Sequence, residues 1–327
     1  MAFKSTDGLM RHLRNNGIAI AGSTQKRQLM NTGYFHGYKG YRFFNTASRR
    51  LPFISYEEVY ATVQYDTRLK ALFYDKMMFI ETAVKNISLE CILKKANSES
   101  IQDMYDKVVS GYNNAPAVAN SNTKKSLQEK KLTLQSKMQT CLSEAYKRNN
   151  PKVTHFYNNM SYSDVPIWAL FEIITMGDFG FLLSCLTDDT RDAISRKIGL
   201  LNVACDTNRE LVYKYIYTLK DLRNAIAHNN VVFDTRFRKI DPTPAMKQCL
   251  QQALGLPYLN FKTLGDYLIL MCYYLELLKV PKIEIKAFIR EFEHLTNSYS
   301  KSVNEQVSSI VIHADLSARL TILKNYI

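Results

Sequence analysis

Apolar positions recur three and four residues apart along most of the chain, the spacing of one helical face. Residues 56–74 carry Val59, Val63, Leu69, Leu72 and Phe73 at such intervals, and 75–93 continue with Met78, Ile80, Ala83, Val84, Ile87 and Cys91. The pattern predicts one long helix or two in close succession. It lapses over 96–123, a polar stretch with Gly111, Pro116 and five Asn between 97 and 122. That composition predicts a short helix near 100–109 followed by a loop. A charged helix over 124–149 follows, stopped at Asn149-Asn150-Pro151.

In the second half, Pro166 opens the run PIWALFEIITM, Gly177 punctuates it, and FGFLLSCL follows as another helix. Thr207-x-x-Glu210 has the form of a capping box. It leads a helix whose stripe is Leu211, Val212, Tyr215, Ile216, Leu219, Leu222 and Ile226, with Asn229 and Asn230 as terminators. Pro242 and Pro244 mark a connection, and two long helices near 261–279 and 281–299 meet at Val280–Pro281. The last stretch predicts one or two short helices, with a short strand as the alternative over 307–313. The class is all-α.

Composition supports this. The 327 residues include only 12 Gly and 8 Pro, about half of average usage. So few turn residues argue against a sandwich or barrel. An apolar fraction of 46% supplies a core, and the length suits about two domains or one large one. The net charge of +13 is uneven: residues 1–150 hold 23 Lys/Arg against 12 Asp/Glu, and 1–50 hold nine bases and one acid, Asp7. This asymmetry points to a polyanionic partner, with charge-based solubility as the plainer alternative.

The six cysteines have no zinc spacing and read as buried free thiols. The longest apolar run, Tyr267–Leu275, ends at Glu276, well short of the ~20 residues that span a bilayer. No signal-peptide pattern opens the chain. The expectation is a cytoplasmic protein without a membrane segment. No phosphate-binding loop, GxSxG or HExxH occurs, so neither a metal nor another cofactor is expected.

The chemistry concentrates at the end of the capped helix, in Leu222-Arg223-Asn224-Ala225-Ile226-Ala227-His228-Asn229-Asn230. Asn224 and His228 lie over one another at i and i+4, and Arg223 is about 100° to the side. None falls at the centre of the apolar stripe. His228 occupies the last turn, where the helix dipole favours a cation. An arginine can hold a phosphate by two parallel hydrogen bonds, and an imidazole can move a proton at a ribose hydroxyl or leaving oxygen. The pair thus contains what metal-free RNA cleavage needs. A surface arginine beside a helix-ending histidine is the alternative.

The RNxxAH segment resembles the HEPN superfamily, whose ribonucleases carry R-x4–6-H, matched here by Arg223 and His228. Three further stretches resemble the Abi-like abortive-infection family within it. These are GYFHGYKGYRFF (33–44), YDTRLKALFYDKMMFIETAVKN (65–86) and HFYN…VPIWALFEIITMGDFGFLLSCL (155–186). They occur in the family's order and, with the motif, cover roughly residues 25–235. The resemblance implies a HEPN-type helical bundle, a role in phage defence and toxin-like, metal-independent RNA cleavage by Arg223, Asn224 and His228. It also implies a homodimer in which two motifs form one site, and a structured non-coding RNA as a plausible partner. The chain departs from the frequent form RNxCAHHxRxxN at Ile226, Asn229, Val231 and Asp234. Arg236 and Arg238 are candidates for the missing phosphate contact, with a solvated charge run as the alternative. The alternative function is a non-catalytic module that holds a specific RNA as a ribonucleoprotein.

Two domains are expected: a basic, aromatic-rich segment over 1–50 that packs on the bundle, and a helical domain over 51–327 with a polar insertion near 96–123. Bases and rings interleave between 33 and 44 as on single-stranded RNA surfaces. The candidates for RNA contact are Lys26, Arg27, Lys39, Arg42, Arg49 and Arg50, with Tyr38 and Tyr41 as stacking rings. Packing of the rings into the core, and solvation of the bases, are the alternatives. Trp168 is expected in the core, and Glu172 is expected to pair with a Lys or Arg.

Overall fold

The computed structural model describes residues 5–159, 164–202 and 204–327. Fifteen α-helices and one π-helical turn order them, and among the described residues no strand forms. The chain divides into two compact units.

The first unit comprises Met1–Met77, Asp221–Pro242 and Leu250–Ile327. It opens with α1 (Thr6–Asn15) and α2 (Gly22–Tyr34), which pack together, and α2 runs into a π-helical turn, Phe35–Lys39. Gly33 sits at the junction with φ +69°, a left-handed conformation that glycine adopts without cost. The long α3 (Tyr56–Ala96) begins here. Its first turn is fixed by Glu58, whose carboxylate accepts from the Ile54 and Asn304 backbone N–H groups. The core of this unit is α12 (Leu264–Leu277), buried at every position through Leu275. A helix buried on all sides needs neighbours all round. Among them are α13 (Lys282–Ser302) and α15 (Leu316–Tyr326), and α14 (Glu305–Val311) packs on α13. The stretch 307–313 is thus helical through Val311, and the strand alternative falls. Tyr65 of α3 stacks on Tyr299 of α13 with ring centroids 4.4 Å apart.

The second unit comprises Met78–Lys220 and Thr243–Cys249. It holds the rest of α3, then α4 (Ile101–Lys107), α5 (Ser121–Lys147), α6 (Pro151–Tyr157), α7 (Ile167–Ile173), α8 (Met176–Cys185) and α9 (Asp188–Ile198). Helix α5 packs against α6, α7 and α8. Pro151 does more than stop α5: Asn150 caps its successor, and Pro151 becomes the first residue of α6. The break between α7 and α8 falls at Ile174–Thr175, not at Gly177. The Thr175 hydroxyl caps α8, and Gly177 lies inside its first turn.

Two further expectations change. Trp168 is 41% exposed rather than core, its indole N–H donating to Glu99 and its ring edge-on to Phe156. Glu172 pairs with Lys152 as expected. Helix α10 (Leu211–Ala227) carries the predicted stripe, with Leu211, Val212, Tyr215, Ile216, Leu219 and Leu222 buried. Its cap is Asp206, whose carboxylate accepts from the Glu210 and Leu211 N–H groups at 2.6 and 3.1 Å. Arg209 is left-handed (φ +56°), so the helix cannot begin at Thr207 and the capping box does not form. Helix α11 (Pro244–Leu254) fills the region after Pro242.

Candidate active site at the end of helix α10

Helix α10 ends in the motif. His228 is its C-cap, and Asn229 takes the left-handed conformation (φ +51°) that usually falls to glycine. Two backbone bonds close the end: Asn229 N–H to the Ile226 carbonyl at 3.1 Å, and Asn230 N–H to the Ala225 carbonyl at 2.8 Å. This pairing is the Schellman arrangement, with asparagine where most helices use glycine. It leaves His228 exposed and Arg223 and Asn224 half-buried, while Leu222 and Ala225 face the core. The i,i+4 relation holds in the backbone, where His228 N–H donates to the Asn224 carbonyl at 3.0 Å. The imidazole thus stands at the negative pole of the helix dipole.

The segment beyond the motif is anchored by a carboxylate that the sequence did not single out. Asp66 of α3 is fully buried. One of its oxygens accepts the Val232 and Phe233 N–H groups at 2.7 and 2.8 Å. The other takes the Tyr41 hydroxyl and the Lys70 ammonium, each at 2.8 Å. Lys70, one helical turn on, also donates to the Asn229 side-chain oxygen at 2.8 Å. A buried carboxylate is tolerable only when so fully satisfied. Asp66 and Lys70 therefore hold the chain that leaves His228. The sequence signal was an Asp–Lys pair at i,i+4 within the YDTRLK segment. It resembles a solvated surface pair until burial is known.

Asp234 is a second buried anchor. It accepts the Asn45 N–H at 2.9 Å and the Arg236 guanidinium. Arg236 also donates to the Gly40 and Phe43 carbonyls, each at 2.7 Å, and lies 4.2 Å from the centre of the Phe43 ring. Arg238 donates to the Asn260 and Phe261 carbonyls and pairs with Asp241. Both arginines hold loops, which accounts for them without a phosphate.

The N-terminal candidates separate into two groups. Tyr38 and Tyr41 are buried, at 1% and 2% exposure, and cannot stack on a base in this fold. The Tyr38 hydroxyl accepts from Arg50, and the Tyr41 ring stacks on Phe233. Burial and the adjacent Asp66 carboxylate push the Tyr41 phenol well above its usual range, which keeps it a donor. The bases stay outward: Lys26, Arg27, Lys39, Arg49 and Arg50 are exposed and Arg42 is half-buried. Lys26 pairs with Asp7, and Arg49 lies over the Phe44 ring. Among the described residues, no group of three or more His, Cys, Asp or Glu side chains is placed to hold a metal ion. Nor is any helix among them long and apolar enough to cross a membrane.

The sequence model of one protein family, described as Abi-like protein, matches residues 27–234. That span begins in α2 and ends at the Asp234 anchor just beyond the motif. The searches of curated proteins and of solved structures gave no match.

Proposed function

The chain belongs to the Abi-like protein family, which suggests a part in abortive-infection defence against phage, and on that premise we propose that it is an RNA-binding, metal-independent endoribonuclease of the HEPN type. The observation that carries this reading is the end of α10. An exposed imidazole at the C-cap follows a half-buried amide by one helical turn and a half-buried arginine by five residues, and the chain beyond is locked by Asp66 and Lys70. Positioned groups of this kind can lower a barrier without a cofactor.

In the proposed reaction the 2′-hydroxyl of one ribose attacks the adjacent phosphorus. The bond to the 5′-oxygen of the next nucleotide breaks, leaving a 2′,3′-cyclic phosphate and a 5′-hydroxyl. One proton leaves the attacking hydroxyl and one reaches the departing oxygen, and His228 handles one of these transfers. Arg223 faces the charge that builds on the phosphate oxygens, a task suited to a forked guanidinium. Asn224, one turn before His228, orients the ring or the phosphate. A second copy of the chain would supply a second His228 and complete the acid–base pair, which makes a homodimer the proposed working form. The exposed bases of the first 50 residues would hold the RNA by its phosphates.

The test is degradation of total RNA in EDTA by protein freed of bound nucleic acid, comparing wild type with Arg223→Ala and His228→Ala. Loss of cleavage in both variants supports the reading. Equal activity in all three removes the assignment. A discrete RNA retained by a wild type without activity favours the non-catalytic ribonucleoprotein instead.

A further inference from the structure

The first unit contains a cavity of about 350 Å3 that no residue of the α10 motif lines. Its walls come from three places far apart in sequence: the 44–49 turn, the 260–263 loop before α12, and the end of α14 with the residues after it. Its charged and ionisable lining is one-sided. Arg49, Lys262 and His313 contribute, and no Asp or Glu lines it. Arg49 and Lys262 are exposed, and among the described residues neither pairs with a carboxylate. Acids that touch or flank the lining are engaged, beginning with Asp234, which takes the Asn45 N–H and pairs with Arg236. Asp266 accepts from Arg319 and the Phe261 N–H, and Asp315 takes the Nδ1 side of His313 and the Tyr258 hydroxyl. That leaves Nε2 as the remaining polar atom of the His313 ring.

Two further features suit an anion with an apolar body attached. Thr263 stands at the N-cap of α12, yet its hydroxyl makes no capping bond and its Oγ1 is buried without a hydrogen-bond partner. A helix start offers N–H groups and partial positive charge, and the Asp266 carboxylate in this first turn is matched by Arg319. Part of the lining is apolar: Phe44, with the Arg49 guanidinium 5.1 Å from its ring centre, and Ile310. The volume lies in the range of small-ligand sites, which join apolar walls to a few placed polar groups.

We infer that this cavity binds the phosphate monoester of a nucleotide, with Arg49 and Lys262 on the phosphate and the Phe44–Ile310 wall against its sugar or base. His313 Nε2 completes the polar contacts. The ligand is either a free mononucleotide or the phosphorylated end of an RNA strand, since both present the same chemistry. The site stands apart from the α10 motif and does not depend on cleavage there.

The test is calorimetric titration of the full-length protein, freed of nucleic acid, with adenosine 5′- and 3′-monophosphate. Short oligoadenylates with and without a terminal phosphate are titrated in parallel. Saturable binding is expected for a monophosphate or for the phosphorylated oligomer. Lys262→Glu and Arg49→Ala should each weaken it by about tenfold or more, as loss of a charge-assisted hydrogen bond does. Lys262→Arg should restore it. The gain in affinity from the terminal phosphate should be the same in wild type, Arg223→Ala and His228→Ala, which separates this site from the cleavage motif. Binding of the mononucleotides alone identifies a free ligand, and binding of the phosphorylated oligomer alone identifies an RNA end. The inference is overturned if wild type binds none of these probes, if the terminal phosphate makes no difference to the oligomer and the mononucleotides fail to bind, or if Lys262→Glu binds normally. Lys262 is exposed, so its substitution spares the fold, and unchanged thermal melting verifies that.

Discussion

The Lys70 ammonium donates to the side-chain oxygen of Asn229 at 2.8 Å, 159 positions along the chain and next to His228. Lys70 is itself held by the buried carboxylate of Asp66. The candidate catalytic histidine thus leads directly into an ion-paired anchor in the core of its unit.

Asp66→Ala should be among the most damaging single changes. It removes the acceptor of two backbone N–H groups, a phenol and an ammonium. Breaking such a buried pair costs about 3–5 kcal/mol. Tyr41→Phe removes one donor to the same charge and should cost about 1.5–3 kcal/mol. Urea unfolding of the three proteins checks the order. Asp66→Ala as stable as Tyr41→Phe would contradict the shared anchor.

Asn229 tests the helix end separately. Asn229→Gly loses the Lys70 contact but eases the left-handed backbone, and the two effects offset in part, so stability should change by about 1 kcal/mol or less. Asn229→Val forces a branched residue into that conformation and should cost about 1–3 kcal/mol. Melting curves distinguish the two. Equal losses would mean that the Schellman end is not formed.

Arg236→Ala should destabilise the protein because it leaves Asp234 buried without its cation and frees the Gly40 and Phe43 carbonyls. Arg236→Lys should rescue only part, since an ammonium cannot reproduce the fork. Limited proteolysis at residues 40–46 should speed up in the alanine variant. Unchanged stability with weakened RNA binding would instead restore the phosphate role.

Asp315 predicts a pH dependence. Burial works against its charge, but hydrogen bonds from Tyr258 and His313 and the Arg319 guanidinium outweigh it and hold the carboxyl below the usual aspartate range. A folded-state value below the unfolded one adds stability that is fully present above about pH 4 and is lost as pH falls through the folded value. Urea midpoints of wild type and Asp315→Asn should therefore differ near neutrality and converge in acid. A constant difference across the range would contradict this.

The division between what the sequence showed and what it hid follows the kind of interaction involved. Helical period exposed α3, α5, α10, α12 and α13, because each buries a stripe or a whole surface. The 3.6-residue pattern fails for a seven-residue helix such as α6, where a single Asn cap and a proline decide the element. The motif itself was legible, since Arg223, Asn224 and His228 lie within six residues. Its support was not. Asp66 meets Val232 across 166 positions, and Asn45 meets Asp234 across 189. No local pattern distinguishes such carboxylates from solvated ones. The same limit hid Tyr38 and Tyr41, whose interleaving with bases resembles a stacking surface although their rings are buried.

The central claim is chemical and has a direct measurement: the end groups left on RNA treated in EDTA. Wild type should produce 2′,3′-cyclic phosphate and 5′-hydroxyl ends, which His228→Ala and Arg223→Ala should fail to produce while both keep wild-type melting behaviour. Fragments with 3′-hydroxyl and 5′-phosphate ends, or cyclic-phosphate ends that persist in His228→Ala, would contradict the account.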